Sequence, residues 1–94
     1  MIYNIDYTSK FKKQYKKMKL QGKNIKLLIE VITKLRNGET LESKYCNHIL
    51  ANANYFKNCF ECHIEPDWLL IYRIDNKNLV LLLCQTGFRS ELFR

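Results

Sequence analysis

The stretch Cys59-Phe-Glu-Cys-His-Ile-Glu-Pro-Asp-Trp-Leu-Leu70 holds a histidine, three carboxylates, and the only proline and tryptophan of the chain. Its residues alternate as in a β-strand up to Ile64, so they divide into two faces. The two faces are Cys59, Glu61 and His63, and Phe60, Cys62 and Ile64. One face can therefore be core and the other a site. Pro66 lacks a backbone N–H, which predicts a break in the ladder and a turn that brings Asp67 towards His63.

Two further strands follow this stretch. Trp68–Ile74 is rich in branched and aromatic residues, and the polar turn at residues 75–78 separates it from Leu79–Cys84. Because Leu79–Cys84 is apolar at every position, we expect a central strand with helices on one side and site residues or loops on the other.

The part of the chain before this stretch predicts one strand, two helices and a long loop. Alternating and amphipathic patterns give a strand at Ile2–Tyr7, a helix from Thr8 or Ser9 to Gly22, and a helix from Lys23 or Asn24 to Asn37. The short link between the helices predicts a hairpin. Residues 39–58 show no periodicity, and a segment of this length often marks a functional loop.

The composition predicts one small globular domain covering residues 1–94, with 47% apolar and 27% charged residues. The chain has no apolar run near the roughly 18 residues of a membrane span. Its first residues lack the pattern of a signal peptide. We therefore expect a cytoplasmic protein that does not bind membranes.

The formal net charge of +7 is concentrated near the start of the chain. The interval between Tyr7 and Ile29 contains no acidic residue and eight lysines, which are Lys10, Lys12, Lys13, Lys16, Lys17, Lys19, Lys23 and Lys26. Such a face suits nucleic acid or an acidic protein partner. A solvated lysine face on an amphipathic helix is the alternative interpretation.

The four cysteines predict free thiols, because the chain has no secretory signal. They are Cys46, Cys59, Cys62 and Cys84. The run from Cys59 to His63 matches the C-x-x-C-H pattern of haem attachment, but an alternating strand is a poor host for haem. Zinc bound by three of these cysteines and a histidine is another alternative, although a flat strand would splay the thiols. We expect no metal and no other cofactor.

With His63, Pro66, Asp67 and Trp68, the chain resembles the YafQ-like branch of the RelE superfamily of bacterial toxin ribonucleases. Further segments that carry the resemblance are Tyr3–Lys13, Gly38-Glu39, Lys44-Tyr45 with His48 and Leu50, Glu61–Tyr72, Thr86-Gly87 and Ser90–Phe93. The resemblance implies an α+β fold with an N-terminal strand, a helical hairpin and a twisted antiparallel sheet of the microbial-ribonuclease type. It also implies cleavage of mRNA in the ribosomal A site and inhibition by a cognate antitoxin.

The resemblance assigns site roles residue by residue. It implies catalytic or substrate-positioning roles for His48, His63 and Asp67. It implies supporting roles near the site for Trp68 and Phe93, which we expect to bind the substrate. The family commonly has Arg where this chain has Gln85, His where it has Arg89, and Arg where it has Phe60. We include Arg89 among the catalytic candidates, and Gln85 and Lys44 among the substrate-binding ones. The basic face of Lys10, Lys12, Lys13, Lys16 and Lys17 would bind RNA or the antitoxin.

A metal-free ribonuclease needs a base for the 2′-hydroxyl, positive charge for the phosphorane and an acid for the departing oxygen. His48 or Asp67 can serve as the base, and a protonated His63 can stabilise charge or donate a proton. Arg89 supplies a fixed cation but is a poor general acid near neutral pH. Gln85 can hydrogen-bond phosphate without neutralising it.

Three functions follow from these residues. The first is an mRNA endonuclease acting at the ribosome, with DNA binding at the operator only through the antitoxin. The second is a catalytically weakened relative that binds the ribosome, RNA and antitoxin without efficient cleavage, as the residues at 85 and 89 favour. The third is a metal-binding module built on the cysteines.

Overall fold

The computed structural model describes residues 2–50 and 58–93. Its elements are β1 (Asn4–Tyr7), α1 (Ser9–Leu20), α2 (Ile25–Arg36), a 3₁₀ turn (Ser43–Tyr45), β2 (His48–Ile49), β3 (Phe60–Glu65), β4 (Trp68–Asp75), β5 (Val80–Phe88) and α3 (Arg89–Leu92). The strand order is β1-β5-β4-β3-β2. This order confirms the predicted α+β class. The strands from β2 to β5 pair antiparallel, and β1 joins β5 in parallel, so the sheet is mixed.

The helical hairpin begins and ends close to the predicted residues because its caps were recognisable. Thr8 Oγ1 accepts a hydrogen bond from the N–H of Phe11, and Asn24 Oδ1 accepts one from the N–H of Lys26. Each bond satisfies a backbone donor that the first turn of a helix leaves free. Gly22 follows α1 with φ +80°, a conformation that residues with a Cβ rarely adopt.

The two faces of the sheet differ in how they are covered. The helix-covered face carries Cys62, Ile64, Trp68 and Leu70, which pack with apolar residues of α1 and α2 in the main core. The other face, which we call the open face, has a much smaller cluster centred on Cys59 and Ile71. The alternation predicted for residues 59–64 is thus confirmed, with one face in the core and the other available for a site.

Strand β5 is longer than the sequence predicted, because it continues from Cys84 to Phe88 through polar residues. The pairing with β4 shifts register between Ile71 and Tyr72 and then resumes. Thr86 lies at a buried position in this extension, where its Oγ1 accepts a hydrogen bond from Trp68 Nε1 and donates one to the carbonyl of Leu69. A satisfied hydroxyl can be buried at little cost, so the polar residue does not end the strand.

Two further sequence predictions concern the aperiodic segment at residues 39–58 and the absence of a membrane span. The aperiodic segment 39–58 contains the 3₁₀ turn and β2, and its residues 51–57 lie outside the described residues. Within the described ranges, no helix is both long and apolar enough to cross a membrane.

Candidate active site

The open face holds a buried carboxylate surrounded by one arginine and two histidines. Glu61 of β3 is only 1% exposed. Its Oε1 lies 3.2 Å from Nη1 of Arg89, 3.4 Å from Nε2 of His63 and 3.7 Å from Nε2 of His48. A carboxylate so deeply buried is stable only when it is paired, and here the partners reach it from three elements. We call these four residues the Glu61 cluster.

Sheet register brings the cluster together. His48 of β2 is the cross-strand partner of Glu61, and His63 lies two residues further along β3 on the same face. Arg89 begins α3 immediately after β5, and its backbone N–H donates to the carbonyl of Asp67 in the β3–β4 turn. This bond fixes the start of α3 against the turn, so the guanidinium reaches Glu61 from the other side.

Both imidazoles are oriented by backbone carbonyl groups. Nδ1 of His48 lies 2.7 Å from the carbonyl oxygen of Cys46, and Nδ1 of His63 lies 3.0 Å from that of Pro66. A carbonyl oxygen can only accept, so each Nδ1 carries the proton. Each Nε2 then faces Oε1 of Glu61. The reactive nitrogen of both histidines is therefore Nε2.

The β3–β4 turn places Asp67 beside Arg89. Asp67 is exposed and lines a cavity of about 510 Å³, whose other lining residues are Phe88, Arg89, Ser90 and Phe93. No ion pair joins Asp67 to His63 in the described part of the chain, and the carboxylate near His63 Nε2 is that of Glu61. The turn thus brings the carbonyl of Pro66, rather than the Asp67 side chain, into hydrogen-bonding distance of His63.

Trp68 supports the turn from the helix-covered side. Its side chain is fully buried, which leaves it no surface for direct contact with a substrate. Its indole N–H donates to Thr86, joining the start of β4 to the end of β5. Trp68 therefore supports the site from beneath and does not contact the substrate directly.

Gln85 lies next to α1 rather than in the Glu61 cluster. Its Oε1 accepts a weak hydrogen bond of 3.4 Å from Nε2 of Gln14, and the Oε1 of Gln14 accepts one from the N–H of Thr86. The two glutamines hold α1 against β5 at the point where β1 no longer pairs with it.

Phe93 and Lys44 flank the cluster on opposite sides. The guanidinium of Arg89 lies 5.4 Å from the ring centre of Phe93, a cation–π distance that steadies its position. The exposed Lys44 extends over the ring of Tyr45 at 5.1 Å. The roles of both side chains in substrate binding stay predictions.

The five lysines predicted to form a basic face are all exposed on α1. They are Lys10, Lys12, Lys13, Lys16 and Lys17. Lys17 forms an ion pair of 3.1 Å with Glu91 of α3. The face remains available for a polyanion, and its role in binding RNA or antitoxin stays a prediction.

The cysteines of the zinc alternative do not converge. Cys59 belongs to the small cluster of the open face, whereas Cys62 is in the main core on the other face. Burial raises the pKa of the Cys62 thiol to about 12, with the charge of Glu61 adding to the effect. In the described part of the chain, no group of three or more His, Cys, Asp or Glu residues could hold a metal ion.

Glu61 is the site residue to which sequence reasoning gave no role. The sequence places it on the same strand face as His63, but the carboxylate predicted to approach His63 is Asp67, beyond the proline. The signal for Glu61 is its position two residues before a histidine, on the strand face opposite Cys62 and Ile64.

The family profile described as "Bacterial toxin of type II toxin-antitoxin system, YafQ" matches residues 3–94. The mRNA interferase toxin YafQ of Escherichia coli strain BL21-DE3 is 32% identical over 91 residues, which cover 96% of this chain and 95% of that protein.

Solved structures show the same fold. The Escherichia coli DinJ-YafQ toxin-antitoxin complex contains a chain with a TM-score of 0.89 and 28% identity, with both chains fully covered. A metal-bound toxin from Helicobacter pylori gives a TM-score of 0.87 and 35% identity, covering 99% of this chain and 100% of the other.

Proposed function

Because the chain belongs to the YafQ family of bacterial type II toxin-antitoxin toxins, we propose that it is an endoribonuclease that cleaves mRNA on the ribosome. The observation that carries the proposal is the Glu61 cluster, in which two oriented imidazoles and a guanidinium surround one buried carboxylate. Such a set supplies an acid, a base and a fixed positive charge from side chains alone.

The two histidines take different roles, because cleavage needs one group that donates a proton and one that accepts a proton. Their ring centres are 6.5 Å apart, so both can reach the same substrate phosphate. His63, closer to Glu61 and less exposed, is the acid that donates a proton to the departing 5′-oxygen. His48, half exposed, is the base that takes the 2′-hydroxyl proton.

The remaining groups bind the phosphate and ribose. Arg89 uses one nitrogen for Glu61 and keeps its other donors for the phosphate, whose charge increases in the phosphorane. Asp67 lines the cavity beside Arg89, where it accepts a hydrogen bond from the substrate or replaces His48 as the base. Lys44 contributes a positive charge for RNA binding next to the cluster. Glu61 itself is too buried to contact RNA and acts as a positioning residue.

The proposal includes two macromolecular partners. A cognate antitoxin is supported by the DinJ-YafQ complex of the similar Escherichia coli toxin. The ribosome, with its bound mRNA, is supported by the exposed lysines of α1, which suit ribosomal RNA. Both partners place the activity in the cytoplasm, and operator DNA would be bound only through the antitoxin.

Cleavage of mRNA on programmed ribosomes, with mapping of the 5′ ends, tests the proposal. We expect cuts by the wild-type protein, and a loss with His48→Gln and with His63→Gln while both variants stay folded. Toxin pretreated with a chelator and then desalted should cleave as fast as untreated toxin. Retained cleavage in both histidine variants would contradict the assigned site, and loss after chelation would contradict the mechanism.

A catalytically weakened toxin is the second candidate, favoured by Arg89. Its guanidinium is always charged, so it cannot supply the proton that a histidine at this position could. In this case Arg89→His should raise the cleavage rate, whereas a fall would show that the guanidinium itself is needed. Ribosome binding without any cuts by the wild-type protein would establish the second candidate.

A further inference from the structure

A second cavity opens on the side of His63 away from Arg89. Its volume is about 460 Å³, within the range of small-molecule sites. Leu27, Tyr45 and Ile64 give it an apolar lining, and Lys44, His63 and Glu65 give it polar groups. His63 lines this cavity and also contacts Glu61. A group bound in the cavity would therefore lie one side chain away from the proposed cleavage site.

An irregularity in β3 creates the cavity. In a regular strand, successive side chains point to opposite faces. The pairing of β3 with β4 shifts register between His63 and Glu65, and the four consecutive residues 63–66 all line the cavity. Bulges of this kind redirect side chains and are common beside active sites.

The charged groups of the cavity are held in place. One oxygen of Glu65 forms an ion pair of 2.6 Å with Lys23, whose Nζ also lies 5.5 Å from the ring centre of Trp68. This anchor leaves the second oxygen of Glu65 as a hydrogen-bond acceptor. Lys44, fixed over Tyr45, is a donor only. The cavity therefore combines an apolar slot with one acceptor and one donor.

We propose, resting on the proposed function, that this cavity binds the RNA base next to the cleaved phosphate and that Glu65 and Lys44 determine its identity. Unstacked bases of single-stranded RNA are recognised by stacking and by hydrogen bonds to their edges. An exocyclic amino group donates to Glu65, and a ring nitrogen or carbonyl beside it accepts from Lys44. Adenine, cytosine and guanine present this pair of groups. Uracil has no amino group, and its single donor, N3–H, lies between two carbonyl oxygens that repel the carboxylate, so uracil is disfavoured.

Base frequencies around the cuts test this selection. Cuts by the wild-type protein in a pool of mRNAs with random codons should show uracil depleted at one position beside the cut. Glu65→Gln supplies an amide that can donate to a uracil carbonyl, so the uracil fraction there should rise about threefold to tenfold. Lys23→Gln is the matched control, because it removes the same ion pair without changing the proposed acceptor, and the depletion should persist.

The outcomes separate the two proposals. Absence of cuts by the wild-type protein would overturn the proposed function and this inference together. Cuts with unchanged base frequencies in Glu65→Gln, or with the same change in Lys23→Gln, would overturn the inference alone. Titration with AMP, CMP and UMP, followed by amide NMR, gives a readout that needs no cleavage. AMP and CMP should shift the signals of residues 44 and 65 more than UMP, and equal shifts would also overturn it.

Discussion

The two faces of the sheet show how a small toxin separates stability from chemistry. On the helix-covered face, α1 and α2 bury an extensive core that includes Trp68, Leu70 and Tyr72. On the open face, a few apolar residues around Ile71 lie beside Glu61 and its partners His48, His63 and Arg89. Adjacent residues of one strand thus point to opposite faces, one of which contributes stability and the other the proposed chemistry. The difference teaches that the core supplies rigidity, while the thin open face leaves room for a polyanionic substrate.

The largest expected effect comes from the open face and concerns rate. His63→Gln should lower the rate of mRNA cleavage by about a hundredfold to ten-thousandfold, the usual effect of losing a general acid. The free energy of unfolding should fall by no more than about 1–3 kcal/mol, because the hydrogen bond to Pro66 and one partner of Glu61 are lost while Arg89 keeps the carboxylate paired. Single-turnover cleavage and urea unfolding measure the two quantities. A large loss of stability with an unchanged rate per folded molecule would contradict the separation.

The next effect compares two neighbours on β4 that point to opposite faces. Leu70→Ala should lower the free energy of unfolding by about 2–5 kcal/mol, because it leaves a cavity in the dense core. Ile71→Ala should cost about 2 kcal/mol, since the thin layer above it can relax. Urea unfolding measures both. A greater loss for Ile71→Ala would show that the open face is packed as firmly as the other.

A smaller effect appears in the pH dependence of stability. Burial raises the pKa of Cys62 from 9.0 to about 12, so above about pH 9 the unfolded chain releases a proton that the folded chain keeps. The contribution of Cys62 is complete below pH 9 and is lost as pH rises through about 12. The loss should reach about 1.4 kcal/mol near pH 10. Cys62→Ala should flatten this decline, whereas the exposed Cys46→Ala should not. Equal slopes in both variants would contradict the assignment.

The smallest effect concerns the surface ion pair between Lys17 of α1 and Glu91 of α3. Lys17→Gln removes the partner of Glu91 and should cost less than about 1 kcal/mol. The cost should vanish in about 1 M salt, where exposed charges are screened. Urea unfolding at low and high salt, with the exposed Lys13→Gln as the charge-matched control, measures it. A salt-independent loss would mean that the Lys17 stem contributes by packing instead.

Most of the fold was predictable because its signals are local. Thr8 and Asn24 cap helices through their own side chains, and the alternation around Glu61 follows from strand geometry. The extension of β5 was not predictable in the same way. In the sequence, Thr86 looks like a loop residue. It can be buried in a strand because its hydroxyl bonds Trp68, and that contact exists only in the folded sheet.

The site was predictable in its residue types but not in its arrangement. His48, His63 and Arg89 were recognisable candidates, and they converge in the structure. Their common partner Glu61 was not, because it depends on the register between β3 and the two-residue β2, which no local pattern specifies. The supporting role of the carbonyl of Pro66 depends likewise on the shape of the turn.

The parallel pairing of β1 with β5 also determines when a nascent chain can become harmful. The first strand leaves the ribosome long before residues 80–83, with which it pairs, and Arg89 is made later still. Contacts so distant in sequence form late, because the intervening chain must be complete before they can close. The proposed nuclease therefore stays incomplete while most of its own message is being translated.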